Sequence, residues 1–316
     1  MSWSGTCARA LAAGIVACAI LATPASASSP SFSDAADPFY CQLHKAAAGI
    51  GASARAASTG TQAQAAYARP PQPKWKTNQA FHDPPQLRSR DGVLHVTLNV
   101  VRKKVQMGGR SVLATTYNGN YAGPTMHVKL GDRIIVKVVN LAGKLTYQDT
   151  NLHFHGLHVS PKSPGDNIFV HIPPGKSRVY TVKLGEGNYP GTYWYHSHMH
   201  GASEAQLVNG MSGLIVIDGM RRLLPRPFRH IKERVISLKA AQINDGAVSA
   251  GKYSVWDVSD SPPPDAKQPI PPNVRLVNDQ LQPKIRIRPG EVQLWHIANI
   301  GANVLYKAQL EHSASR

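Results

Sequence analysis

Pro124-Thr125-Met126-His127-Val128-Lys129-Leu130-Gly131-Asp132, continuing through Arg133-Ile134-Ile135-Val136-Lys137-Val138-Val139 to Asn140, reads as a strand, a turn and a second strand. β-Branched residues fill the arms and Gly131-Asp132 supplies the turn chemistry. The pattern returns without gaps at Pro283-Lys284-Ile285-Arg286-Ile287-Arg288-Pro289-Gly290-Glu291, reaching Asn299, at an offset of 159 residues (283 − 124, 290 − 131, 299 − 140). A repeat at this period predicts two related β-domains, joined near Asp218 to Arg229, where Arg221-Arg222-Leu223-Leu224-Pro225-Arg226-Pro227 breaks the pattern. Upstream, Val93 to Val100 alternates in part, and Gly-Asp, Gly-Asn and Pro-Gly breaks punctuate short runs throughout. Many short strands separated by turns argue for a β-sandwich or barrel.

Within the first repeat lie Asn151-Leu152-His153-Phe154-His155-Gly156 and Trp194-Tyr195-His196-Ser197-His198-Met199-His200-Gly201. Side chains alternate along a strand, so residues i and i+2 share a face. Two such strands aim His153, His155, His196 and His198 at one place, across a separation of 43 residues (196 − 153). A lone His-x-His arises by chance in a chain with 14 histidines, but two copies, each ending in glycine and flanked by aromatic residues, are much harder to obtain that way. Imidazole suits copper, zinc, iron and nickel, so the spacing proposes a transition-metal site without naming the element.

His153-Phe154-His155-Gly156 and Trp194-Tyr195-His196-Ser197-His198 resemble the first two of the four copper-binding motifs of multicopper oxidases. The resemblance runs from about Val93 to the end of the sequence and takes in Tyr117-Asn118-Gly119, Gly123-Pro124-Thr125 and Gly131-Asp132. It implies an all-β fold, a cupredoxin-like Greek-key sandwich over 91–219, followed by an incomplete second cupredoxin-like domain over 230–316. Arg275-Leu276-Val277-Asn278 and Pro289 to Trp295 resemble the family's middle domain, which has no His-x-His here and is expected to be structural. By resemblance, His153 would ligate the type 2 copper and His155, His196 and His198 the type 3 pair, half of a trinuclear site. Asp166, 13 residues after His153, stands where the family commonly has an acid that assists proton delivery. Dioxygen and a reducing small-molecule or cuprous substrate are the implied partners. Only 17 residues follow Asn299 (316 − 299), so the third domain, with the type 1 copper motifs, is expected to come from a missing C-terminal half or another subunit.

The remaining sequence bounds where this chemistry would operate. Arg9, the apolar run Ala10 to Ala22 and Ala25-Ser26-Ala27 read as a secretory signal over 1–27, predicting a periplasmic or secreted protein with no membrane span. Cleavage would remove Cys7 and Cys18 and leave Cys41 alone, which excludes an intramolecular disulfide framework. Residues 28–90, rich in Ala, Ser, Gln and Pro, read as a low-complexity tail or linker, with a short helix over Phe39 to Ala57 and with Trp75 and Phe81 draping over the first domain. The net charge of +17 is scattered without an aromatic-studded basic groove, so nucleic acid is not expected. The charge is read as solvated surface with affinity for anionic envelope polymers.

Other histidines are weaker candidates. His200 continues the i+2 series but precedes Gly201, where the strand should end; His158 and His171 match no motif; His127, His296 and His312 read as surface or satisfied interior histidines. Trp194 and Tyr195 are expected to pack around the metal site and exclude water. Three rival functions stand beside the oxidase. A metallo-hydrolase would need an acid where Leu157 stands, and a two-domain copper nitrite reductase would need a His-Cys pair that this sequence lacks. A periplasmic module that binds or sequesters copper without turnover needs only the four histidines.

Overall fold

The computed structural model describes residues 75–143, 149–247, 252–255, 273–302 and 304–309. The expected signal segment, the helix over Phe39 to Ala57, Cys41 and His312 lie outside them. The chain is all-β. Its strands are β1 (Gln86–Arg88), β2 (Val93–Met107), β3 (Arg110–Tyr117), β4 (Gly123–Val128), β5 (Arg133–Asn140), β6 (His153–His155), β7 (Ser177–Lys183), β8 (Gly191–His196), β9 (Ser212–Ile217), β10 (Lys232–Ala247), β11 (Lys252–Val255), β12 (Asn273–Val277) and β13 (Gln293–Asn299). Two short helices, α1 (Ser203–Asn209) and α2 (Met220–Leu223), flank β9. No helix among the described residues is long and apolar enough to cross a membrane.

One sheet runs β1-β4-β9-β8-β6, and a longer one runs β12-β10-β11-β3-β2-β5-β7, with β13 on β10. Period-two patterning decides which face is buried. Leu94, Val96, Leu98 and Val100 of β2 and Ile134, Val136 and Val138 of β5 point inward, against Met126, Phe154, Tyr195, Ile215 and Ile217 from the first sheet. Each fully buried side chain of this kind contributes roughly 1.5–3 kcal/mol. β9 is buried throughout because both its faces are covered. Ile215 and Ile217 enter the sandwich, while Leu214 and Val216 meet Val235 and Ile300.

The repeat is visible in the pairing. β2 has an antiparallel partner in β3 and a parallel one in β5. β10 has an antiparallel partner in β12 and a parallel one in β13. In each copy an asparagine with positive φ, Asn118 or Asn278, opens a tight turn and bonds back to the long strand. Asn118 Oδ1 accepts from Asn99 N at 2.8 Å, and Asn278 Oδ1 from Ser237 N at 2.8 Å. The counterpart of β4, Pro283 to Arg288, forms no strand and touches Ala80 through one bridge at Lys284. β4 is held between β1 and β9, and nothing among the described residues plays the part of β9 beside 283–288.

Residues 75–90, the end of the stretch expected to be linker, are tied down. Asn78 N donates to Gln282 O at 3.0 Å and Phe81 N to Lys284 O at 3.1 Å. Trp75 lies under the Arg110 guanidinium in the first repeat, whereas Phe81 lies under Arg234 in the second. The aromatic rings and backbone donors offset the low apolar content of this segment.

Candidate metal centre

β6 is the edge strand of the first sheet and pairs antiparallel with β8, so that His153 stands opposite His196 and His155 opposite Trp194. Alternation then sorts the side chains. His153, His155, Trp194 and His196 share one face, whereas Phe154 and Tyr195 are buried in the sandwich core on the other. Tyr195 therefore does not line the site, contrary to the reading from sequence; its hydroxyl donates to Pro124 O at 2.8 Å. Gly156 ends β6 at φ +84°, a conformation that turns the chain away from the sheet.

The structure brings all four imidazoles together. The ring centre of His153 lies 5.6 Å from His155, 5.3 Å from His196 and 5.4 Å from His198. One ligating atom each from His153, His155 and His196 lie within 4.8 Å of one another. Two nitrogens on opposite sides of one ion would stand up to about 4.2 Å apart at usual metal–imidazole bond lengths, so small side-chain adjustments suffice. His198 is the outer member, 5.7 Å from His196.

Hydrogen bonds set the tautomers. His153 Nδ1 donates to Asp166, 2.8 Å from Oδ2, and His196 Nδ1 donates to Ser197 O at 2.7 Å. Both bonds leave Nε2 with its lone pair, as ligation requires. Burial pushes His196 down to about 3, and burial followed by the neighbouring His153 and His198 lowers His155. Both rings are thus neutral near pH 7. Trp194 stacks on His196, with ring centres 4.2 Å apart and planes inclined by 21°, and covers His155 at 4.6 Å.

Asp166 is placed by its own loop. Its N donates to Ser160 O at 2.8 Å, Gly165 N donates to Lys162 O at 2.7 Å, and a side chain at Gly165 would collide with both carbonyls. Besides His153, its Oδ1 accepts from Phe154 N at 3.0 Å. Sequence reading missed a polar shelf beneath the histidines. Asn151 Oδ1 accepts from His198 N at 2.7 Å while Asn151 Nδ2 donates to Ile168 O at 2.6 Å. Gln206 of α1 accepts from Ser197 Oγ and, at 2.9 Å, from Thr150 Oγ1. Asn151 could have been noticed as a polar residue preceding an apolar strand; Gln206 carries no local sign of its role.

The other histidines stand apart. His158 and His171 are exposed, beside Glu186 O and Asp149, and His200 is exposed past the end of β8. His127 is buried between Asp218 and Gln86. His296 is buried too, its Nδ1 2.9 Å from the Thr192 hydroxyl and its Nε2 3.9 Å from Glu233.

A sequence profile of the multicopper oxidase family matches residues 99–222. Residues 99–222 thus match the multicopper oxidase family. The chain is 31% identical over 189 residues to the iron transport multicopper oxidase fetC of Epichloe festucae, covering 58% of this chain and 28% of that protein. It is likewise 31% identical over 179 residues to the multicopper oxidase mco of Staphylococcus aureus, covering 56% of this chain and 36% of that one. The chain thus spans well under half the length of these relatives. Among solved structures, the McoA multicopper oxidase of the hyperthermophile Aquifex aeolicus superposes with a TM-score of 0.54 at 18% identity, over 71% of this chain and 46% of that one. At that identity the likeness speaks for the cupredoxin-like fold alone. Within the matched residues, β6 carries the first His-x-His motif, and β8 ends on His196, the first histidine of the second.

Proposed function

We propose that this chain is a copper-binding oxidoreductase of multicopper oxidase type, and that His153, His155, His196 and His198 supply half of a trinuclear dioxygen-reducing site. The observation that carries the reading is the convergence of ligating atoms of His153, His155 and His196 within 4.8 Å, with the Nδ1 protons of His153 and His196 already engaged. Imidazoles that present a free Nε2, as His153 and His196 do, fit copper. In the finer assignment His153 serves a type 2 ion, and His155, His196 and His198 a type 3 pair. Bound copper would supply one-electron redox chemistry for reducing dioxygen to water with electrons from a small-molecule or cuprous donor.

The protein's own residues orient, shield and move protons. Asp166 holds the proton on His153 Nδ1 and, only 10% exposed, is the carboxylate placed to pass a proton towards the site through Oδ2. Trp194 stacks on the buried His196 and packs beside His155, which stays exposed. The sequence has no His-Cys-His run, so electron entry through a thiolate-bound type 1 copper would come from another polypeptide segment. The N-terminal sequence supports a periplasmic or secreted location.

The test is metal content and copper spectroscopy of the purified chain, with oxygen consumption measured in parallel. Copper retention without an intense blue thiolate band, and without oxidase-rate turnover by the chain alone, is expected. Retention of zinc with hydrolysis of an ester or lactam would refute the proposal. Copper retention is shared with a second reading, a copper-sequestering module. The two separate if oxygen consumption appears when a segment carrying the type 1 site is added.

A further inference from the structure

The connector between the two repeats is strongly cationic. From Arg221 to Arg234 the chain holds six lysines and arginines against one carboxylate, Glu233. It is also held firmly. Arg221 Nε pairs with Glu233 at 2.9 Å, Arg221 also donates to Ile231 O at 3.3 Å, and Arg229 Nε donates to Leu224 O at 3.2 Å. At its start, Asp218 is engaged by His127 at 3.2 Å and by Arg88 at 3.8 Å. The carboxylates here are therefore taken. Arg222, Arg226 and Lys232 are exposed and make no ion pair among the described residues.

Two clefts flank the connector. The first, about 750 Å³, is lined by Lys129, Arg222 and Arg229 together with Leu130, Pro190 and Leu223. The second, about 600 Å³, brings Lys232 beside Arg286 and Arg288. Its one carboxylate, Glu291, already accepts from Arg288 N and Gln293 Nε2. Exposed apolar side chains gather at the first cleft. Leu130 and Leu223, which line it, are 46% and 71% exposed, and Tyr189, the sequence neighbour of the lining residue Pro190, is 71% exposed.

A solvated cationic surface accounts for the arginines but gives no reason for two leucines and a tyrosine to stand in water among them. A polyanionic polymer would meet the charges and leave those side chains uncovered. Cations interleaved with exposed leucine and an interfacial tyrosine are the composition that lies on an anionic bilayer, with the charges at the headgroups and the apolar tips beneath. We propose that the connector and its two clefts dock this protein peripherally on an anionic phospholipid surface. Leu130, Tyr189 and Leu223 enter the headgroup region, and Arg222, Arg226 and Lys232 contact phosphates. The inference does not depend on the histidine site.

Co-sedimentation of the full chain with vesicles of phosphatidylcholine, with and without phosphatidylglycerol, at low and high salt, tests it. Binding should require phosphatidylglycerol and weaken with salt. The triple variant Arg222→Gln/Arg226→Gln/Lys232→Gln should bind roughly a hundredfold more weakly, at about fivefold per charge. Leu223→Ser should lose about tenfold through the missing apolar contact. All these side chains are exposed, so thermal melts of the variants should match the parent. Absence of binding, equal binding to neutral vesicles, or full binding by the triple variant would overturn the proposal. Unchanged binding by Leu223→Ser would overturn it in favour of a polyanionic polymer, which titration with soluble dextran sulfate would then show directly.

Discussion

Asp166→Asn isolates the contribution of a single oxygen atom. The carboxylate accepts from two donors, His153 Nδ1 at 2.8 Å on Oδ2 and Phe154 N at 3.0 Å on Oδ1. The carboxamide has only one acceptor for them. If its oxygen keeps the Phe154 N–H, it stands 3.1 Å from His153 Nδ1, the longer of the carboxylate's two contacts with that ring, while the shorter one at 2.8 Å passes to an NH2 group that cannot accept. If it turns over, a buried backbone N–H is orphaned at a cost of about 1–3 kcal/mol. Losing the group that orients a ligating histidine typically weakens metal affinity about 10–100-fold. Copper titration against a chromogenic chelator should show that loss, while the metal-free protein melts no more than modestly earlier. Unchanged copper affinity and an unchanged copper spectrum in the variant would show that Asp166 does not control His153.

Other outcomes follow from the same coordinates. Phe154→Ala should destabilise the protein by about 3–5 kcal/mol in denaturant titrations and leave copper stoichiometry intact, because this ring faces the core between two histidines that do not. His296→Gln probes acid stability. Burial lowers His296 to about 4, so the unfolded chain takes up its proton near pH 6.5 and the folded one does not, and stability falls as pH drops through that window. Such a histidine contributes a slope of about 1.4 kcal/mol per pH unit, and chemical denaturation from pH 7 to 4 should show a shallower slope in the variant. Gly165→Ala should weaken copper binding without touching a ligand, since the loop that positions Asp166 has no room for a methyl group; chelator competition would detect it.

Much of the site was legible because it depends on local periodicity. His153 with His155, and His196 with His198, must share faces in any strand, whereas Asp166 was pointed to only by the family resemblance. Tyr195 was misassigned for the same reason in reverse: lying one residue from His196, it belongs to the opposite face, and adjacency in sequence was taken for adjacency in space. Gln206 was not legible, since the Thr150 hydroxyl it accepts from lies 56 residues away.

By itself the sequence determined what short-range chemistry determines: β-strands from branched side chains, a turn at Gly131, a doubled strand pattern and four histidines in phase. Tertiary structure alone decided that β6 pairs with β8 in the register that sets His153 against His196. It also placed the buried His296 against Thr192, held 75–90 against both repeats, and gathered exposed leucines among the arginines of the connector. The physical reason is that pairing register and surface proximity depend on which distant segments meet. That outcome belongs to the packing of the whole core and leaves no mark on any short stretch.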